Sequence, residues 1–106
     1  MGHKSFYIPL TVAENRIRVE IVTKRGHVES FTVQYEISLS RNWTPVVRHD
    51  TAHGYFHIDV LHANKKHDKV KLRTKNLEEA LNYAIADLKL KWDYYREKYL
   101  KEVDSK

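Results

Sequence analysis

The stretch FTVQYEISL, residues 31–39, alternates apolar and polar side chains along its whole length. Successive side chains of an extended strand point to opposite faces, so this pattern predicts a strand with one apolar and one solvated face. The apolar face comprises Phe31, Val33, Tyr35, Ile37 and Leu39, and the solvated face comprises Thr32, Gln34, Glu36 and Ser38. Residues 16–23, RIRVEIVT, alternate in the same way. Gly26 lies between the two runs and can adopt the positive φ of a tight turn, so together they predict an antiparallel hairpin.

Further strands flank this hairpin. Residues 6–12, FYIPLTV, contain Pro9, which cannot donate to a sheet ladder, and this favours an edge strand. Residues 43–48 and 55–61 are predicted strands, and residues 63–69, ANKKHDK, are predicted to form a solvated loop. Residues 70–72 either add a short last strand or lead into the next element. We therefore expect a curved antiparallel sheet of about five strands over about residues 6–73.

A long C-terminal helix is predicted for about residues 77–101. Asn76 is a favourable N-cap, and Glu79 follows three residues later as in a capping box. One apolar stripe at helical spacing comprises Leu77, Ala80, Leu81, Ala84, Ile85, Leu88, Trp92, Tyr95 and Tyr99. Packed on one face of the sheet, this helix gives a single α+β domain, residues 1–106. A second stripe of Tyr83, Leu90 and Tyr94 consists either of scattered surface residues or of a homodimer contact.

Composition restricts the classes of function. The 106 residues suffice for one domain, and the absence of cysteine excludes disulfides, thiolate catalysis and cysteine-ligated zinc. Neither a signal peptide nor an apolar run of about 18 residues is evident, so we expect a soluble cytoplasmic protein without a membrane partner. The net charge of +5 favours a polyanionic partner such as RNA. The high share of charged residues, 31%, is typical of heat-adapted proteins. No cofactor is predicted.

The candidate site lies within Trp43–His62, which holds four of the seven histidines. Arg48 and Asp50 are two residues apart, as are His57 and Asp59, so each pair shares one face of an extended strand. If residues 50–54 turn the chain back, the two pairs lie on adjacent antiparallel strands. His49 and His62 are expected on the opposite face.

These residue types are the ones that a metal-independent ribonuclease uses. An arginine binds the phosphate and stabilises the transition-state charge, a carboxylate orients an imidazole, and imidazoles with a pKa near neutrality transfer protons. The pattern predicts catalytic roles for Arg48, Asp50, His53 and His57, and substrate contacts for Tyr55, through stacking or a phenolic proton, and for Asp59.

Two other interpretations are open. The Arg48–Asp50 pair can be a surface ion pair, with His57 and Asp59 simply on the solvated face of a strand. Alternatively, His57 and Asp59 bind a metal ion with His53 as a third ligand. His53 and His57 are separated by about 13 Å on an extended strand, which disfavours this metal site.

The run Arg48–His57, RHDTAHGYFH, resembles an R-[YH]-D-x-A-H-G-[FY]-x-H signature of small archaeal and bacterial proteins. It is also similar to the TumE-like toxins of type II toxin–antitoxin systems. His49 stands where an aromatic residue is usual, and Asp59 where a basic residue is usual. The resemblance implies a toxin-like, RNA-directed enzyme with an antitoxin as a protein partner. The alternatives are a non-catalytic, dimeric binding or assembly module with a structural histidine-rich turn, and a metal-binding protein.

Overall fold

The computed structural model describes residues 1–51, 56–72 and 76–104. Within them the chain forms one antiparallel sheet followed by one helix. The elements are β1 (Gly2–Pro9), β2 (Asn15–Lys24), β3 (His27–Leu39), β4 (Asn42–Asp50), β5 (Phe56–Leu61), β6 (His67–Leu72) and α1 (Leu77–Asp104). The strands lie in the sheet in chain order, each hydrogen-bonded to the next. The α+β class is as predicted, but the described sheet has six strands rather than about five.

Strand β6 corrects the prediction of a loop at residues 63–69. Leu61 pairs with His67 and Asp59 pairs with Lys69, so the last three of the seven residues in that segment belong to the sheet. A tight turn precedes it, in which the His62 amide donates to the Lys66 carbonyl at 2.8 Å. Residues 67–71 are all exposed, so they lack the apolar alternation by which a sequence marks a strand. Pairing with β5 alone places this edge strand in the sheet.

The predicted hairpin is confirmed as β2 and β3. Val19 pairs with Val33 and Ile17 with Tyr35, so the apolar sides of both strands share one face. Arg25 and Gly26 connect the strands, and both have positive φ, 54° and 78°. Two consecutive positive φ values are what the two-residue turns of twisted hairpins require, which explains the glycine.

A β-bulge in β4 decides which side chains lie on the sheet face away from α1, which we call the uncovered face. Tyr35 pairs with Val47 while Glu36 pairs with Pro45, which leaves Val46 as an extra residue. On a regular strand Trp43 and Arg48 would point to opposite faces, since their positions differ by an odd number. The extra residue changes this parity, so that both lie on the face away from α1, while Val46 and Val47 are both buried on the helix side.

Helix α1 packs across β3 and β4 and closes the core. The Glu79 amide donates to Asn76 Oδ1 at 3.2 Å, which confirms the predicted N-cap. Each residue of the predicted apolar stripe is buried or partly buried. The core comprises Ile17, Val19, Phe31, Val33, Tyr35, Ile37, Val46, Val47, Phe56, Ala80, Leu81, Ala84, Leu88 and Tyr99. The helix continues three residues past the predicted end at Lys101. No helix in the described part of the chain has the length and apolar character needed to cross a membrane.

Candidate functional site

Four of the six predicted site residues meet on the uncovered face of the sheet. In the β4–β5 register Arg48 lies opposite Asp59, and Asp50 lies opposite His57. The two-residue spacing within each strand and the direct pairing between strands make a square of four side chains, as the spacing predicts. We call these four residues the polar block. The other two predicted site residues, His53 and Tyr55, lie outside the described residues.

The polar block is less exposed than a solvated strand face. His57 and Asp59 are each only 4% exposed, whereas Arg48 and Asp50 are half-buried. His57 Nε2 lies 3.8 Å from Asp59 Oδ2, and Lys69 Nζ lies 3.8 Å from Asp59 Oδ1. Asp59 Oδ1 is buried and accepts no hydrogen bond from the described residues. A buried acceptor in this condition destabilises the fold, and in native proteins it calls for an explanation such as a catalytic role or a bound water or ion.

A hydrogen-bonded chain of side chains fixes the Arg48 guanidinium. Arg48 Nε donates to Gln34 Oε1 at 2.7 Å, and Gln34 Nε2 donates to Glu36 Oε2 at 2.6 Å. Arg16 Nε in turn donates to Glu36 Oε1 at 2.8 Å. A guanidinium held through Nε can still present its terminal N–H groups to a phosphate. Gln34 and Glu36 are buried within this chain, so the prediction that they face solvent is wrong.

A shallow depression of about 230 Å³ borders the polar block on the same face. It shares Asp50 with the block and is lined by His3, Glu20, Val22, Ser30, Phe31, Thr32, Asp50 and Thr51. Arg48 and His57 do not line it. The depression therefore gives a ligand access to one side of the block, next to the Asp50 carboxylate.

A buried polar cluster lies on the other face of the sheet, and the sequence interpretation missed it. His49 is fully buried, and its Nε2 lies 3.0 Å from Asp87 Oδ2. The Tyr95 hydroxyl donates to the same carboxylate oxygen at 3.1 Å, and Lys91 Nζ lies 3.3 Å from Oδ1. Burial by itself raises the pKa of Asp87, but His49, Tyr95 and Lys91 outweigh it and lower the pKa. The available signal was the position of Asp87 next to Leu88, inside the buried stripe of α1.

His62 links the β5–β6 turn to the end of α1. Its Nδ1 lies 2.6 Å from Glu102 Oε2, and its Nε2 lies 2.8 Å from Asp68 Oδ2. The hydrogen bonds that His62 donates to Asp68 and, with a smaller effect, to Glu102 raise the pKa of His62, and the bond from His62 lowers the pKa of Glu102. Since the two ring nitrogens bind different carboxylates, the arrangement is a charged clamp.

The described residues contain no group of three or more His, Cys, Asp or Glu side chains placed to hold a metal ion. His57 and Asp59 adjoin each other, but His53, the predicted third ligand, lies outside the described residues. The metal alternative therefore stays a prediction.

The fold and the polar block define an α+β protein with an open antiparallel meander, one covering helix and a polar opposite face. Residues 1–105 match the model of a family described as Domain of unknown function (DUF7718), and the chain belongs to that family. No curated protein and no solved structure matches the chain.

Proposed function

We propose that the polar block binds RNA and cleaves its phosphodiester bonds by metal-independent acid–base chemistry. The observation that carries this proposal is the cross-strand pairing of Asp50 with His57 directly beside Arg48 and Asp59. It brings a carboxylate, an imidazole and a cation together on the sheet face away from α1.

Each group has a definite role in the proposed reaction. Neutral His57 takes the proton of the ribose 2′-hydroxyl, and the 2′-oxygen attacks phosphorus while the bond to the 5′-oxygen breaks. The leaving 5′-oxygen takes a proton from a second acid, for which His53 is the sequence's candidate. Arg48 stabilises the charge on the phosphoryl oxygens. Asp50 orients the imidazole, and Asp59, 3.8 Å from His57 Nε2, stabilises the imidazolium. The products are a 2′,3′-cyclic phosphate and a 5′-hydroxyl.

The charge on β6 supports a polyanionic substrate. Lys69 lies opposite Asp59 and Lys71 opposite His57, so both lysines share the face of the polar block. Neutralising phosphates with such cations supplies most of the non-specific affinity for nucleic acid. The resemblance of residues 48–57 to TumE-like toxins extends the proposal to an antitoxin that binds over the block.

A second candidate is a non-catalytic, dimeric binding module. The burial of His57 and Asp59 favours it, because a general base must reach the hydroxyl from which it takes a proton. The exposure of Tyr83, Leu90 and Tyr94 on α1 supports the dimer.

The test is cleavage of a labelled, unstructured RNA in the presence of EDTA, with the cyclic phosphate as the diagnostic product. His57→Ala and His57→Gln are expected to lower the rate by about 10²- to 10⁴-fold, the usual loss when a general base is removed. The matched control is His27→Ala, since the His27 side chain is 82% exposed and lies at the β2–β3 turn. Thermal unfolding of each variant shows whether it is folded.

Expression in cells provides an independent readout. Growth arrest by the wild type, and not by His57→Ala, is expected from a toxin. Equal harmlessness of both, together with wild-type protein that leaves the RNA intact, would eliminate the enzyme. Binding without cleavage would select the non-catalytic module.

A further inference from the structure

An arginine lies between two aromatic rings at the far end of the uncovered face. The Arg16 Cζ atom lies 4.0 Å from the centre of the Tyr7 ring and 3.9 Å from the centre of the Trp43 ring. The three residues come from β1, β2 and β4, and the bulge at Val46 places Trp43 on the same face as Arg48. We call this group the aromatic stack.

The aromatic stack is held in place but open to solvent. Tyr7 is 53% exposed and Trp43 is 39% exposed, so neither ring contributes to the core. Arg16 is fixed by its 2.8 Å hydrogen bond to Glu36 on the neighbouring strand β3, whose carboxylate also accepts a hydrogen bond from Gln34. The rings thus present flat apolar surface in a geometry set before any ligand arrives, which lowers the entropy cost of binding.

We infer that the aromatic stack is a subsite for a nucleobase of single-stranded RNA, an inference that rests on the proposed function. Unpaired bases bind proteins by stacking on aromatic rings, and both the Tyr7 and the Trp43 ring keep exposed surface on which a base can stack. A duplex hides the faces of its bases, so the subsite selects a single strand.

The position of the aromatic stack fits a strand of RNA that crosses the sheet. The hydrogen-bonded chain from Arg16 through Glu36 and Gln34 ends at Arg48. In register Arg48 is two strands and two residues away from Arg16, which corresponds to about 12 Å. A few nucleotides span this distance, so one strand can place a base on the stack and a phosphodiester at Arg48. Removal of the stack should therefore weaken binding without removing any group of the polar block.

Trp43 provides a direct probe. Replacing Trp92, which packs against Tyr35 on the helix side, by Phe leaves Trp43 as the single tryptophan. This protein is titrated with a 2′-O-methyl RNA oligonucleotide, which cannot be cleaved through its 2′-oxygen, and with the same oligonucleotide in a duplex. Trp43 fluorescence reports stacking, and anisotropy of an end label reports binding. We expect the single strand to quench Trp43 and the duplex to leave it unchanged.

The variants Tyr7→Ala and Trp43→Leu are expected to weaken binding about 5- to 150-fold, the loss that corresponds to one stacked base. The matched control is Phe6→Ala, which removes the neighbouring aromatic ring of β1 from the opposite face. It should bind as the wild type does. Circular dichroism melts show whether all three variants are folded.

The outcomes separate this inference from the proposed function. If RNA is bound and cleaved but Trp43 is not quenched and Tyr7→Ala binds normally, the subsite is refuted and the enzyme stands. If the single strand quenches Trp43 and the variants bind weakly while no cleavage occurs, the subsite stands and the enzyme falls. If neither Trp43 fluorescence nor anisotropy detects binding of RNA, both the subsite and the proposed function are overturned. Equal quenching by single strand and duplex contradicts stacking.

Discussion

Replacing Asp87 by Ala tests how the buried polar cluster stabilises the fold. Asp87 is the carboxylate that His49 Nε2 meets at 3.0 Å in the core. His49 Nδ1 already has no hydrogen-bond partner among the described residues, so the substitution leaves both ring nitrogens of a fully buried imidazole unpaired. The Tyr95 hydroxyl, at 3.1 Å from the same carboxylate, loses its acceptor as well.

The expected cost follows from desolvation. A buried polar group without a partner destabilises a protein by about 1–3 kcal/mol, so we expect a loss of about 2.5 kcal/mol. The unfolding entropy near the melting temperature is about 2.1 cal/mol/K per residue, which for this chain corresponds to a fall in Tm of about 11 °C. The control Asp93→Ala removes an exposed carboxylate from the same helix and should cost under about 0.5 kcal/mol.

Urea unfolding at two pH values completes the test. The pKa of Asp87 is lowered in the folded protein, so its carboxylate stabilises the fold above its ordinary pKa and loses this effect as the pH falls through the folded value. The difference in the free energy of unfolding between wild type and Asp87→Ala should reach its full value at pH 7 and be smaller at pH 3. The double variant His49→Phe with Asp87→Leu should recover most of the loss, because apolar residues then replace both partners. If Asp87→Ala lowers the free energy of unfolding no more than Asp93→Ala does, or lowers it equally at both pH values, the buried cluster does not stabilise the fold in this way.

Two further predictions concern the clamp and the outer side of α1. The raised pKa of His62 means that its ion pairs stabilise the fold below its ordinary pKa, about 6.5, and that this contribution is lost as the pH rises through the folded value. Urea unfolding of His62→Gln should therefore show a free energy of unfolding that is lower than that of the wild type by up to about 1 kcal/mol near pH 5.5, and by less at pH 9. An equal difference at both pH values would contradict the clamp. Leu90 is 77% exposed, and if the stripe that contains it forms the homodimer, Leu90→Lys should give a folded monomer in light scattering. A wild type that is itself monomeric at high concentration would exclude this dimer, and Lys89→Ala, on the exposed side of the same turn, is the control.

Periodicity in the sequence predicts the elements that bury one apolar face. The alternation of residues 31–39 and the stripe of α1 are both confirmed. Each pattern lies within a single element, so it can be read without knowing which other elements pack against it. The first half of strand β6 was missed because an exposed edge strand needs no apolar pattern, whereas residues 70–72 form its second half, one of the two predicted alternatives. The solvated character predicted for Gln34 and Glu36 was wrong for a related reason: neighbouring strands supply the side chains that cover them.

The candidate site was likewise predictable in part from the sequence. The two-residue spacings of Arg48–Asp50 and His57–Asp59 are enough to place each pair on one face, and a reversal of the chain between them was enough to expect the polar block. The pairing of Asp50 with His57 in particular depends on the register between β4 and β5, which the spacing within one strand does not determine.

The sequence by itself determined the α+β class, the central hairpin, the apolar face of the helix and the face shared by the four residues of the polar block. Only the tertiary structure decided that His49 meets Asp87 and that Tyr7 and Trp43 enclose Arg16. The physical reason is that local periodicity fixes the direction of a side chain relative to its own backbone. Its neighbour across the sheet depends on register, and in β4 a single bulged residue, Val46, changes the face on which Trp43 lies relative to Arg48.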